Sequence, residues 1–106
     1  MVQVIIKKNF SKNGRYKIGD LITGQIVKVF VYMKNYFPEV RVKCYSSDGE
    51  ELANDNLQSK TTYFYPLNFL PSGNFTDYFY NNGPLYIDIE GLSDSENIDF
   101  IKIYYI

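Results

Sequence analysis

The stretch EVRVKCYS, residues 39–46, alternates strictly: Val40, Val42 and Cys44 fall to one side, Arg41, Lys43 and Tyr45 to the other. A period of two is what a half-buried strand needs, because successive side chains leave opposite faces of the pleat. The same period recurs along most of the chain. PLYIDIEG turns Leu85, Ile87 and Ile89 inward and Tyr86, Asp88 and Glu90 outward. VQVIIKK sets Val2, Val4 and Ile6 against Gln3, Ile5 and Lys7, and GQIVKVFVYM sets Val27, Val29, Val31 and Met33 against Ile26, Lys28, Phe30 and Tyr32. TTYFYPL and NIDFIKIYYI complete the set, rich in the β-branched and aromatic residues that suit a pleated surface. No window shows a 3.6-residue period. One helical turn could sit in GEELANDNLQ, and Asn54, Asp55 and Asn56 weigh against it there.

Turn chemistry agrees with strands. Asn13-Gly14 is a hairpin-type signal, Asp48-Gly49 is placed to turn the third strand back, and Pro71-Ser72-Gly73-Asn74 and Asn81-Asn82-Gly83-Pro84 break the second half. The expected fold is all-β: one domain over residues 1–106, an antiparallel sandwich of about six to eight strands with little or no helix.

Composition excludes several chemistries. With no histidine there is no Ser-His-Asp or Cys-His catalysis and no His-ligated zinc. The single cysteine, Cys44, forms no intrachain disulfide and reads as a buried small hydrophobe. A net charge of −1, with both signs interspersed and no basic stripe, argues against nucleic acid and against an anionic membrane surface. No leader of signal-peptide form and no run approaching the roughly 18 apolar residues of a membrane span is seen, so a cytoplasmic or virion-associated protein is expected.

Two segments resemble jelly-roll modules that bind carbohydrates, both those attached to polysaccharide enzymes and those decorating phage tails. The first is YKIGDLITGQIVKVFVYM, followed by EVRVKCY and an Asp-Gly turn. The second is PLYIDIEGLSDSENIDFIKIYYI, a strand, a short polar loop and a closing strand. The resemblance covers roughly residues 16–50 and 84–106. It implies a jelly-roll sandwich, a glycan ligand and a phage- or virus-type structural or host-binding role. Tryptophan, the usual sugar-stacking residue of such modules, is absent, so a platform would be built from tyrosines.

Eleven tyrosines and eight phenylalanines exceed what a core of this size readily absorbs, and alternation sends one ring of each adjacent pair to each face. The stretch TDYFYNNGPL nominates Tyr78 and Tyr80, with Asn81, Asn82 and Tyr86 nearby, while Phe79 is expected in the core. MKNYFPEV adds Tyr36 and Phe37 at a strand connection, either as a binding tip or as a plug over the sandwich end. Outer-face tyrosines also serve a purely structural purpose as cross-strand pairs. Asp94, Glu96 and Asp99 are the oxygen-rich set that would hold calcium if any ion is bound; no other cofactor is expected. No two carboxylates are placed across a cleft, so the chain is expected to be a non-catalytic binding or assembly module rather than an enzyme. Its partner would be a glycan or a protein. A small inhibitor or anti-defence protein docking through a sheet edge or aromatic patch is the alternative, and a homo-oligomeric structural subunit is a third.

Overall fold

The computed structural model describes residues 2–65, 67–69, 75–78 and 80–106. They form nine strands: β1 (Gln3–Phe10), β2 (Gly14–Tyr32), β3 (Arg41–Tyr45), β4 (Glu51–Asn56), β5 (Thr61–Phe64), β6 (Leu67–Phe69), β7 (Phe75–Tyr78), β8 (Tyr80–Glu90) and β9 (Ile98–Tyr105). Every pairing is antiparallel, and no helix occurs among the described residues, as the period-two pattern requires.

The pairings nest. β1 joins β9, the first part of β2 joins β8, the end of β2 joins β5, and β3 joins β4. Two further ladders, β2 with β9 and β3 with β8, assemble these pairs into one seven-stranded sheet ordered β1-β9-β2-β8-β3-β4 with β5 also on β2; the long β2 divides it into a first sheet, β1-β9-β2-β5, and a second, β2-β8-β3-β4. A separate hairpin pairs β6 with β7. Val29, Val31, Ile101 and Ile103 of the first sheet share one buried hydrophobic cluster with Ile18, Val42, Leu85 and Ile87 of the second.

The shared strand β2 makes this arrangement possible through two irregularities. Against β8, Ile18 pairs Leu85 but Ile22 pairs Gly83, so Gly19, Asp20 and Leu21 bulge outward opposite Pro84 alone. Proline has no N–H to offer a ladder, and a bulge is where a strand tolerates it. Against β9, Ile26 pairs Tyr105 but Lys28 pairs Tyr104, leaving Val27 as an extra residue. This second bulge reverses the inward phase from Ile18, Ile22 and Ile26 to Val29, Val31 and Met33. Simple alternation had placed Ile26 outside with Lys28; it is fully buried. Between the two bulges β2 leaves β8 for β9. Gln25 and Ile106 exchange backbone hydrogen bonds of 2.8 and 3.0 Å, and Gly24 (φ +140°) passes so close that a Cβ there would lie 2.1 Å from the Ile106 carbonyl oxygen.

Two other expectations change, and the one segment where a helical turn was open takes the strand form. Asn13-Gly14 is not a hairpin turn, since β1 and β2 do not pair; instead Asn13 brackets the β8–β9 loop, donating to the Leu92 carbonyl and accepting from the Leu92 N–H. GEELANDNLQ contributes β4 rather than a helical turn, because Asn54 and Asp55 have strand partners in β3. Asn81-Asn82-Gly83-Pro84 is no break, and β8 runs straight through it. Asp48-Gly49 does turn β3 into β4, closed by Ser46 N–H on the Glu50 carbonyl at 2.8 Å. The Pro71–Asn74 break and the Phe79 ring lie outside the described residues.

Candidate functional site

The outward faces of the two sheets are chemically opposite. On the second sheet, charge is neutralised internally. Arg15 of β2 donates from Nε and Nη2 to the two oxygens of Asp88 on β8, at 2.7 and 3.0 Å. Its guanidinium also lies 4.8 Å from the Tyr45 ring centre and 5.8 Å from that of Tyr86. The hydrogen bond from Arg15 holds the Asp88 carboxyl below the usual carboxylate range; partial burial opposes this, and the charges of Arg15 and Lys43 reinforce it. Lys43 pairs with Glu90 at 3.3 Å. These two ion pairs cross between neighbouring strands, and Arg15 lies over the Tyr45 and Tyr86 rings.

The first sheet presents rings and lysines. Cross-strand register builds three rows on its outer face: Val4, Tyr104 and Lys28; Ile6, Lys102, Phe30 and Tyr63; Lys8, Phe100, Tyr32 and Thr61. The rings touch across strands, with Phe30 to Tyr63 at 4.7 Å between centres, Tyr32 stacked on Phe100 at 5.0 Å, and Phe30 to Phe100 at 5.8 Å. Tyr63 stacks in turn on Tyr65 at 6.3 Å. The Lys28 ammonium lies 4.5 Å from the Tyr104 ring centre and 5.2 Å from that of Tyr63, and the Lys102 ammonium 5.3 Å from that of Phe100.

Such pairs stabilise a sheet, each by about 0.5–1.5 kcal/mol, as the structural account of surface tyrosines expects. They do not close the surface. Tyr63 and Tyr65 remain 50% and 57% exposed, and Val4 and Ile6 at the opposite margin 44% and 47%. Rings and aliphatics thus form a continuous, partly exposed band flanked by cations.

The residues nominated from sequence do not converge. Period two along β8 sends Tyr80, Asn82 and Tyr86 to the second sheet's outer face; Tyr80 is 64% exposed, whereas Tyr86 carries Arg15. Asn81 points the other way and is 1% exposed. Its amide nitrogen donates to the Ile22 and Gly83 carbonyls at 2.8 and 2.9 Å, and its oxygen accepts from the Ser47 N–H at 2.8 Å, which removes it from any ligand surface. Asn82 is exposed and accepts from the Thr23 hydroxyl at 3.0 Å. Tyr36 and Phe37 are half-buried against the core, and the Tyr36 hydroxyl donates to the Leu57 carbonyl at 2.7 Å. Tyr78 ends β7 opposite Leu67, and its side chain lies outside what is described.

The acidic loop binds its own backbone. Glu96 accepts from the Ser93 N–H at 2.6 Å and Asp99 from the Lys34 N–H at 2.7 Å. Among the described residues, Asp94, Glu96 and Asp99 do not group as metal ligands. Cys44 is 1% exposed, and burial pushes its thiol up to about 12, far from the thiolate a nucleophile needs. No described helix is long and apolar enough to cross a membrane. No family model and no curated protein matches the chain.

What alternation alone missed was the site's location. Tyr32, Tyr63 and Tyr104 were visible as surplus tyrosines. Their union with Phe30, Phe100 and three lysines depends on β1, β2, β5 and β9 lying side by side, and these strands are scattered along the chain.

Proposed function

We propose that this chain is a non-catalytic recognition module, jelly-roll-like in its nested strand pairing, that binds a glycan on the outer face of the β1-β9-β2-β5 sheet. The carrying observation is the contrast between the two outer faces: the second sheet pairs Arg15 with Asp88 and Lys43 with Glu90, while the first leaves Tyr63 and Tyr65 half exposed beside Lys28 and Lys102, which face rings. Tyrosine offers an apolar face for the C–H face of a sugar ring and a hydroxyl for its oxygens. The segments resembling carbohydrate-binding modules of phage tails fall on β2, β3, β8 and β9, which supports a structural or host-binding role on a virion.

The test is a glycan array probed with the intact chain and with a Tyr63→Ala, Tyr65→Ala double variant. Tyr63 packs on Phe30, Tyr65 and Lys28, so the variant should melt some degrees lower but unfold cooperatively, while array binding is lost. Unchanged binding by the variant would refute the platform.

A second reading, a protein-binding inhibitor or accessory protein, draws on a specific feature. Among the described residues β1 ends the sheet order with β9 as its one strand partner, and Val4 and Ile6 on it, with Val2 just before it, are exposed. A strand from a partner adds to such an edge. Absence of any glycan hit, with co-purification of one host protein that Ile6→Lys abolishes, would favour it.

A further inference from the structure

We infer that the glycan taken by this face is acidic, a linear polyuronate or similarly charged polysaccharide; this rests on reading the first sheet's outer face as the glycan platform. Counting β2 only from Ile26, where it pairs with β9, the strands of that sheet carry Lys7, Lys8, Lys28 and Lys102 against one carboxylate, Asp99. Asp99 is already engaged by the Lys34 N–H. The acidic excess of the chain lies elsewhere, with Asp88 and Glu90 on the second sheet, Asp20 on the bulge and the rest largely in loops and β4.

Position matters more than the sum. Lys8 sits opposite Phe100, Lys102 is next to it on β9 and opposite Phe30, and Lys28 is opposite Tyr104 on β2. Each step moves one strand across and two residues along. The three ammoniums therefore mark a diagonal over adjacent strands at intervals of about 8 Å at the backbone. Val4, Ile6 and Tyr104 flank this diagonal on one side, Phe30, Phe100 and Tyr32 on the other. Lys28 and Lys102 lie over rings, and among the described residues neither has a carboxylate partner. A cation held against a ring face keeps its charge and loses little further freedom on meeting an anion.

A line of positive charge bordered by apolar rings suits a chain that carries carboxylates along its length and C–H faces between them. It suits nucleic acid less well. Three cations neutralise few phosphates, and affinity of that kind scales with the number neutralised. Both arginines of the chain, the better phosphate readers, are on the second sheet.

The experiment is calorimetric titration of the intact chain with polygalacturonate oligosaccharides, with cello-oligosaccharides as the neutral counterpart and with single-stranded oligo(dT). The polyuronate should bind most tightly and weaken as salt rises. Lys28→Gln with Lys102→Gln should lower its affinity about tenfold or more in a protein that melts some degrees lower but still unfolds cooperatively. Lys17→Gln, opposite Tyr86 on the second-sheet part of β2, should leave it unchanged. If the neutral oligosaccharide binds as well and the lysine variants lose nothing, the charge inference falls while the glycan platform stands. If oligo(dT) binds more tightly than the polyuronate, the ligand class is wrong. If no saccharide in this set or on the array binds, the inference and the platform fall together.

Discussion

Asn81 shows how a single side chain can overrule its local sequence. In isolation Asn-Asn-Gly-Pro reads as a turn, because asparagine and glycine accept positive φ and proline cannot donate to a ladder. Here the Asn81 carboxamide enters the interior and acts as a substitute for ladder hydrogen bonds, bracing Ile22, Gly83 and Ser47 at once. Gly83 matters at the same spot, since a Cβ there would lie 2.9 Å from that of Ser47. Replacing Asn81 by alanine strands two carbonyls and one N–H in a buried place. The expected loss is about 1–3 kcal/mol, read from the urea midpoint at unchanged slope, whereas Asn82→Ala, on the exposed side, should cost under about 0.5 kcal/mol. Equal effects at the two positions would show that Asn81 is not the brace. The inward direction of Asn81 was already implicit in the alternation with Leu85, Ile87 and Ile89. The turn-like composition concealed it.

At the scale of elements, strands with uninterrupted alternation were legible and bulged ones were not. β3, β8 from Leu85 on, and β9 after Phe100 bury the residues their pattern nominates. β2 does not, because one extra residue at Val27 inverts the phase and composition does not mark it. The same limit hid the candidate site, whose lysines stand at positions 8, 28 and 102; interspersed charges in the sequence become a one-sign diagonal only after β1, β9 and β2 align. The opposite face has its own testable consequence. Asp88 links β2 to β8 through Arg15, and its folded-state pKa is depressed. Its contribution to stability is therefore fully present above the unfolded carboxyl value of about 4. It is lost as pH falls through the lower folded value. Asp88→Asn should be less stable than the parent at neutral pH, with the gap closing on acidification below that value. A gap constant down to strongly acid pH would mean that the pair contributes packing rather than charge.

For the whole molecule, the continuity of β2 is the decisive feature, since one strand supplies a ladder to each sheet and both sheets share one core. Neither sheet can open without exposing apolar surface of the other, so a single cooperative transition is expected. Two native probes report on the two sheets separately. Cys44 on β3 of the second sheet is buried with a thiol pushed up to about 12, so a thiol reagent reaches it only through opening. The amides of Ile101 and Ile103 on β9 of the first sheet lie between β1 and β2, protected on both sides. Thiol labelling and hydrogen exchange, each measured over a series of sub-denaturing urea concentrations, should give the same opening free energy and the same urea slope, equal to those of global unfolding. Amides of the edge strands β1 and β4, with one partner each, should exchange through smaller openings. If Cys44 reacts through an opening smaller than that of β9, the second sheet detaches by itself and β2 acts as a hinge. The recognition face would then be carried by a sheet that stays folded without its partner.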